Sequence, residues 1–294
     1  MDSTPHQSSI NVAIVGGGPG GLTLATILKA TGIPFKVFEL DASPSARSQG
    51  GMLDIHKGSG QLALAKAGLL DEFKKRMRVD ATEFYLRYSD GRVHWHHTEV
   101  GKEDPDRPEI DRGDLRNMLL SGLEEQDRRV KMPKFTLHFE DGTSASGFDV
   151  VVGADGTWSR VRPLRSDLTP SYVGMTVLTA SISELDTRFP KLAEFVGNGS
   201  CMLVDGKVGI MAQKSGDGSV KTYSFITVGE RWKEESGIDW SNQRKALEEY
   251  VEKFHPDVAE EAKQLLIGCD KGDFTIRQLY RYPPGHKLEK NCSG

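Results

Sequence analysis

A chain of 294 residues with 38 Lys and Arg against 42 Asp and Glu has a formal net charge of −4; at about 150 residues per domain it is long enough for about two cores. The near-balanced charge and a pI of about 6.1 exclude a protein built mainly to bind nucleic acid. A 37% hydrophobic content gathered in blocks excludes a disordered chain, and no apolar run approaches the roughly 20 residues that span a bilayer.

The first element expected is a strand over Asn11–Val15, a β-branched run of the kind buried on both faces. Gly16-Gly17-Gly18-Pro19-Gly20-Gly21 follows directly. A helix is expected next, because Leu22, Ala25, Ile27 and Leu28 recur at helical spacing until Thr31-Gly32. Phe35–Phe38 is the next strand and ends at Glu39, giving β-α-β within about thirty residues. A short extended piece runs from Met52 to Ile55, followed by helical stretches at Gly60–Ala67 and Leu70–Arg76. Thr82–Tyr88 and Arg92–His97 alternate across Ser89-Asp90-Gly91 as a hairpin. Val100–Pro108 is charged and Pro-containing, a loop. Asp111–Glu125 is expected to be helical, with Leu115, Met118, Leu119 and Leu123 in one apolar stripe.

Phe135–Glu140, the turn Asp141-Gly142 and Phe148–Val152 give a strand, a turn and another buried strand. From Tyr172 the texture changes. Tyr172–Ile182, Ser200–Val204, Val208–Gln213 and Val220–Val228 are strand-like and separated by Gly, Asn and Asp turns, as in a largely antiparallel sheet. Ser241–Phe254 and Asp257–Ile267 are helical, and Phe274–Tyr282 returns to strand. The pattern is a nucleotide-type α/β unit with an antiparallel sheet layer added.

Gly16-x-Gly18-x-x-Gly21 carries the strongest chemical signal, since it follows a strand, opens a helix and has an acid at the end of the next strand. Gly16 allows the tight turn, Gly18 lets backbone approach a pyrophosphate, and Gly21 lets the helix sit close to the strand. The helix N-terminus offers free N–H groups and partial positive charge to the phosphates. Glu39 is placed to accept hydrogen bonds from both hydroxyls of an adenosine ribose, and its charge would repel a 2′-phosphate. The site therefore suits FAD or NAD rather than NADP, and these residues leave that choice open.

The second signal is Asp149-Val-Val-Val-Gly153-Ala-Asp155-Gly156-Thr-Trp-Ser159-Arg-Val-Arg162, read as a strand delivering Gly153 and Asp155 to the cleft with a helix beginning near Ser159, and with Asp155 and Gly156 as the candidate cofactor contacts. It resembles the Asp-Gly motif of the class A FAD-dependent monooxygenases, the aromatic hydroxylase family. From Asn11 to about Asp273 the chain is similar to that family, most closely to its tetracycline-inactivating branch and fungal relatives. Arg47-Ser-Gln-Gly50-Gly51-Met-Leu-Asp54-Ile-His-Lys-Gly-Ser-Gly-Gln61 and Pro108-Glu-Ile-Asp-Arg112-Gly-Asp114-Leu-Arg116 carry the likeness.

The resemblance implies an α/β fold: a Rossmann-like, glutathione-reductase-like FAD-binding domain with an added, mostly antiparallel substrate-domain sheet. It assigns 1–80, 98–170 and 269–294 to FAD binding and 81–97 with 171–268 to the substrate. It implies that Arg47 lies near the flavin and the incoming nicotinamide coenzyme, and that Asp54 and Arg112 contact FAD. The implied reaction is hydroxylation of a small aromatic or polycyclic substrate by molecular oxygen, with NADPH or NADH as co-substrate. No protein acid, base or nucleophile is nominated. Beside the family the chain reads as C-terminally truncated, lacking a closing Gly-Asp segment and a strand near Gln126–Lys134, so weak FAD binding and poor solubility are expected. The rival readings are a truncated non-catalytic relative and an NAD-dependent dehydrogenase.

Lesser features are read as structural. His94-Trp95-His96-His97 alternates on a strand, with His94 and His96 on one face and Trp95 and His97 on the other. It has no carboxylate or cysteine at zinc spacing, and no metal is expected. Trp158, Trp232 and Trp240 are read as packing residues, and the acid-rich helices beyond Ser241 as a solvated face. Cys201, Cys269 and Cys292 are odd in number and far apart, which points to a reducing compartment. Met1–Ser9 is polar and lacks the apolar stretch of a signal peptide. A cytoplasmic monomer with no nucleic-acid or membrane partner is the expectation.

Overall fold

Val12–Val15 (β1), Pro19–Ala30 (α1) and Phe35–Phe38 (β2) form the β-α-β unit that the residue pattern requires. A computed structural model of the chain describes residues 10–43, 50–102, 104–123, 135–205 and 208–286. Met52–Asp54 (β3) leads through a π-helical turn at Lys57–Gln61 into Leu62–Lys66 (α2) and Leu70–Arg76 (α3). Phe84–Arg87 (β4) and Val93–His97 (β5) are the expected hairpin. Glu109–Asp111 (β6), not anticipated, pairs antiparallel with β3 and runs straight into Arg112–Ser121 (α4). Leu115, Met118 and Leu119 of α4 are buried with Leu22, Phe73 and Ile110 in one core cluster.

Phe135–His138 (β7) and Ser144–Phe148 (β8) form a hairpin, and Val150–Gly153 (β9) follows. The single buried strand expected over Phe148–Val152 is thus two. Asn11 divides them: its carbonyl accepts the Asp149 N–H at 2.8 Å, while its side-chain amide donates to the Gly147 carbonyl at 2.7 Å. β9 then pairs parallel with β1, and the small sheet runs β2-β1-β9. As an outer strand, β9 leaves Val150 41% exposed. The helix expected near Ser159 is only a 3-10 turn over Arg162–Leu164. Ser159 Oγ accepts the N–H groups of Val161 and Arg162, and Pro170 closes the few residues left before the next strand.

The rest of the chain is Ser171–Ile182 (β10), Leu185–Arg188 (α5), Pro190–Val196 (α6), Ser200–Asp205 (β11), Val208–Lys214 (β12), Val220–Thr227 (β13), Trp232–Glu235 (α7), Gln243–Phe254 (α8), Glu260–Ile267 (α9) and Phe274–Arg281 (β14). The large sheet runs β14-β10-β13-β12-β11-β4-β5, antiparallel except where β11 meets β4. β14, grouped from sequence with the nucleotide unit, instead pairs with β10 in this sheet.

One face of the large sheet is packed by helices. Leu178, Ala180 and Ile182 of β10 are buried there with Leu247, Tyr250 and Val251 of α8 and Ala262, Leu265 and Leu266 of α9. Trp232 and Trp240 pack at this core's edge as expected, whereas Trp158 is 60% exposed against Tyr280. Because side chains alternate along a strand, Val177, Thr179 and Ser181 of β10 belong to the opposite face. Their cross-strand partners Phe225, Tyr223 and Lys221 share it. Among the described residues no helix is long and apolar enough to cross a membrane.

Candidate functional site

The turn after β1 is built by close approach of backbone. Gly16 has φ +109°, and a Cβ on it would lie 2.3 Å from the Ala154 carbonyl oxygen, so the turn and the loop after β9 are in direct contact. A Cβ on Gly21 would lie 2.0 Å from the Gly16 carbonyl oxygen; here α1 crosses β1. Gly18 differs. Its backbone is extended and, among the described residues, no atom lies within 4 Å of where its Cβ would be. The fold does not need that glycine, and the open side at the start of α1 has room for a ligand atom.

Glu39 lies beside this turn at the end of β2. Its Oε2 accepts the Gly17 N–H at 2.6 Å and its Oε1 accepts the Asp41 N–H at 2.9 Å. Each carboxylate oxygen keeps a lone pair for a further donor, such as a ribose hydroxyl. The buried Arg116 of α4 approaches it, 3.9 Å from Glu39 Oε2 and 3.5 Å from Asp41 Oδ2. Arg116 was assigned no role from sequence. Its signal was its place one helical turn after Arg112, on the buried face shared with Leu115, Met118 and Leu119.

Asp155 and Gly156 lie in the loop that touches Gly16. Asp155 Oδ2 accepts the Arg160 N–H at 2.7 Å, while Oδ1 is buried without a hydrogen-bond partner among the described residues. A buried carboxylate oxygen left unpaired is costly, and a bound donor would satisfy it. Gly156 has φ +82° and, among the described residues, open space at its Cβ position. Arg162 stiffens the loop, donating to the carbonyls of Gly156 and Thr157 and to the Tyr282 hydroxyl. The structure therefore gathers Gly16, Gly18, Gly21, Glu39, Asp155 and Gly156 around one turn, and open space plus an orphaned acceptor suit a pyrophosphate-and-ribose ligand.

Asp54 and Arg112 lie apart from that turn. Asp54 is on β3 opposite Glu109 of β6, 4.0 Å from His56. Arg112 opens α4, and a Cβ on Gly50 would lie 3.3 Å from its Cδ. Gly51 donates its N–H to the Tyr223 hydroxyl at 3.1 Å, which joins this region to the open face of the large sheet. Burial pushes the Tyr223 hydroxyl above its ordinary pKa. Glu109 is buried, with Oε2 unpartnered among the described residues; burial first, then the Asp54 charge, raises its pKa to about 8. Arg47 lies outside the described residues.

A turn and acid arranged this way, with a second carboxylate loop against the turn, make a cradle of the kind that holds a dinucleotide in an α/β fold. Residues 9–104 match the FAD binding domain family. The chain is 30% identical over 244 residues to monooxygenase penA of Penicillium thymicola, covering 75% of this chain and 55% of that protein. It is 32% identical over 203 residues to 3-amino-4-hydroxybenzoate 2-monooxygenase PtmB3 of Streptomyces platensis, covering 62% and 48%. The chain spans about half the length of the curated relatives it matches.

Among solved structures, Klebsiella pneumoniae HpxO bound to FAD and uric acid superposes with a TM-score of 0.70 at 18% identity, covering 94% of this chain and 69% of that one. Tetracycline destructase Tet(51) gives 0.61 at 17% identity, covering 95% and 71%. At such identities the likeness is one of fold. The chain is thus similar to FAD-dependent monooxygenases over about half of their length and carries their fold.

Proposed function

We propose that this chain binds FAD and, with NADPH or NADH and molecular oxygen, hydroxylates a small aromatic or polycyclic molecule. The observation that carries the reading is the open cradle at Gly18, set between two glycines whose side-chain space is filled by backbone. In this proposal the α1 N-terminus and the Gly16–Gly21 turn take the pyrophosphate, and Glu39, supported by Arg116, takes the ribose hydroxyls. Asp155 and Gly156 hold the cofactor from the β9 side, and Arg47, Asp54 and Arg112 contact it further along. When bound, the flavin supplies the redox chemistry with oxygen that no side chain here performs.

The protein's own part is to position the substrate and exclude water, a task assigned to 81–97 and 171–268 with β14 added from the C-terminal side. The large sheet's open face bears Met202, Met211, Tyr223 and Phe225, which suits a flat apolar body. The test is an FAD titration followed by oxygen uptake with NADPH or NADH and a panel of aromatic compounds. Saturable binding of one FAD per chain and substrate-stimulated coenzyme oxidation are expected. Binding of NAD in place of FAD would overturn the reading in favour of a dehydrogenase.

A further inference from the structure

We propose that Glu109 is a positioning residue for FAD: it stands as a neutral carboxylic acid across the ribbon from Asp54, and its ionisation weakens the hold on the cofactor. This rests on the proposed monooxygenase reading and adds to it a buried proton that controls cofactor retention.

Glu109 belongs to the two-stranded ribbon of β3 and β6. Side chains alternate along a strand, so Leu53 and Ile110 turn into the core shared with α4, while Met52, Asp54, Glu109 and Asp111 take the other face. Glu109 stands directly opposite Asp54. It is 7% exposed, and its Oε2 has no hydrogen-bond partner among the described residues. Its backbone is pinned: the carbonyl accepts the Arg78 N–H at 2.7 Å, and its own N–H donates to the Arg78 carbonyl at 3.3 Å.

The charges around it do not favour a carboxylate. The Arg78 guanidinium is committed elsewhere, donating to the Lys214 carbonyl at 2.8 Å and to Asp80 at 2.7 Å. Burial first, then the Asp54 charge, with Asp111 adding to them, outweighs Arg78 and Arg107 and puts the Glu109 pKa at about 8. His56, the remaining titratable group here, lies 4.0 Å from Asp54. A buried oxygen without a donor is tolerable on a neutral acid and costly on a carboxylate.

The same ribbon carries residues proposed to meet FAD. The Asp54 side chain is 43% exposed, and Arg112 follows β6 directly as the first residue of α4. An ionised Glu109 would set like charges opposite each other across the ribbon, which destabilises the pairing and displaces Asp54 and Arg112 together. FAD is itself an anion, so its binding favours the neutral form of Glu109. By linkage, affinity falls as pH rises through about 8.

The test is FAD affinity, read by flavin fluorescence, about one pH unit below and above 8. Wild type should bind about tenfold more weakly at the higher pH, the limit for one linked proton. Glu109→Gln keeps the shape without the charge, and Glu109→Met does so without an amide to accommodate; both should bind equally at the two pH values. A level wild-type profile, or a fall that persists in both variants, would overturn the proposal. So would loss of FAD by both variants at the lower pH with wild-type melting temperatures, since the carboxylate itself would then be required. In the FAD-free wild-type chain with isotope-labelled glutamate carboxyls, one carboxyl should titrate near pH 8 by NMR, and its absence would equally end the idea. Failure to bind FAD at any pH sinks the monooxygenase reading. A carboxyl titrating near 8 in that same chain would then show a Glu109 proton that serves no flavin.

Discussion

Gly18 and Gly21 lie in one turn, yet substituting each with valine is expected to fail in a different way. A side chain at Gly21 collides with the Gly16 carbonyl at 2.0 Å, so Gly21→Val should disrupt the seating of α1 and the fold with it. At Gly18 the side chain enters empty space with φ −75°, which any residue adopts. Gly18→Val should therefore keep its melting temperature while losing FAD affinity by about tenfold or more, since ligand and side chain compete for one volume. Unchanged affinity in a titration would show that the pyrophosphate lies elsewhere. Glu39→Ala should weaken FAD by about 1.5–3 kcal/mol, the range for hydrogen bonds to a charged group. It also frees the Gly17 and Asp41 N–H groups, so its melting temperature should be followed in parallel.

At the level of elements, α8 shows how the large sheet is held. Ala246, Leu247, Tyr250 and Val251 fall at i, i+1, i+4 and i+5, one helical face, and all are buried in the core on the helix-packed side of the large sheet. Leu247→Ala is expected to cost about 2–5 kcal/mol in urea unfolding, the range for truncating a packed leucine. Below that helix the Ser224 hydroxyl is shared by the Tyr250 hydroxyl and His255 Nε2, each at 2.7 Å. Tyr250→Phe removes one of these bonds and leaves the other, so about 1 kcal/mol is expected. A loss as large as that of Leu247→Ala would mean that the three groups act as one network. β5, with little of its surface covered, keeps the alternation of its sequence. His94 and His96 lie against Tyr88 and Tyr85, while Trp95 and His97 stack on the other face.

For the whole molecule, two buried groups set opposite pH slopes. Glu109 rises from 4.5 to about 8 in the folded chain because burial and the Asp54 charge disfavour its ionised form. Between those values the folded state keeps a proton that the unfolded state releases, so stability falls as pH rises. Burial lowers His255 from 6.5 to about 4. Between those values the unfolded state takes up the proton, so stability falls as pH drops. The two slopes oppose each other between 4.5 and 6.5, and only that of Glu109 continues above. Melting temperature should therefore decline from pH 6.5 to 8, and Glu109→Gln, neutral throughout, should remove the decline. A wild-type chain with a level melting temperature over that range would show Glu109 already ionised.

The residue order by itself determined the β-α-β unit, the glycine turn with Glu39, the Asp155 loop and most strands of the large sheet. These are local matters, because side-chain periodicity and backbone freedom are properties of neighbouring residues. Only the tertiary structure decided that the Gly16 turn meets the Ala154–Asp155 loop, and that β14 joins the large sheet. It alone decided that Arg116 lies beside Glu39 and that Thr179, Tyr223 and Arg277 share one face. Those facts depend on strand register and on charges brought together from distant positions. A one-residue slip would turn Thr179 into the core, and Glu109 owes its raised pKa to burial and to Asp54 across the ribbon, which no local pattern records.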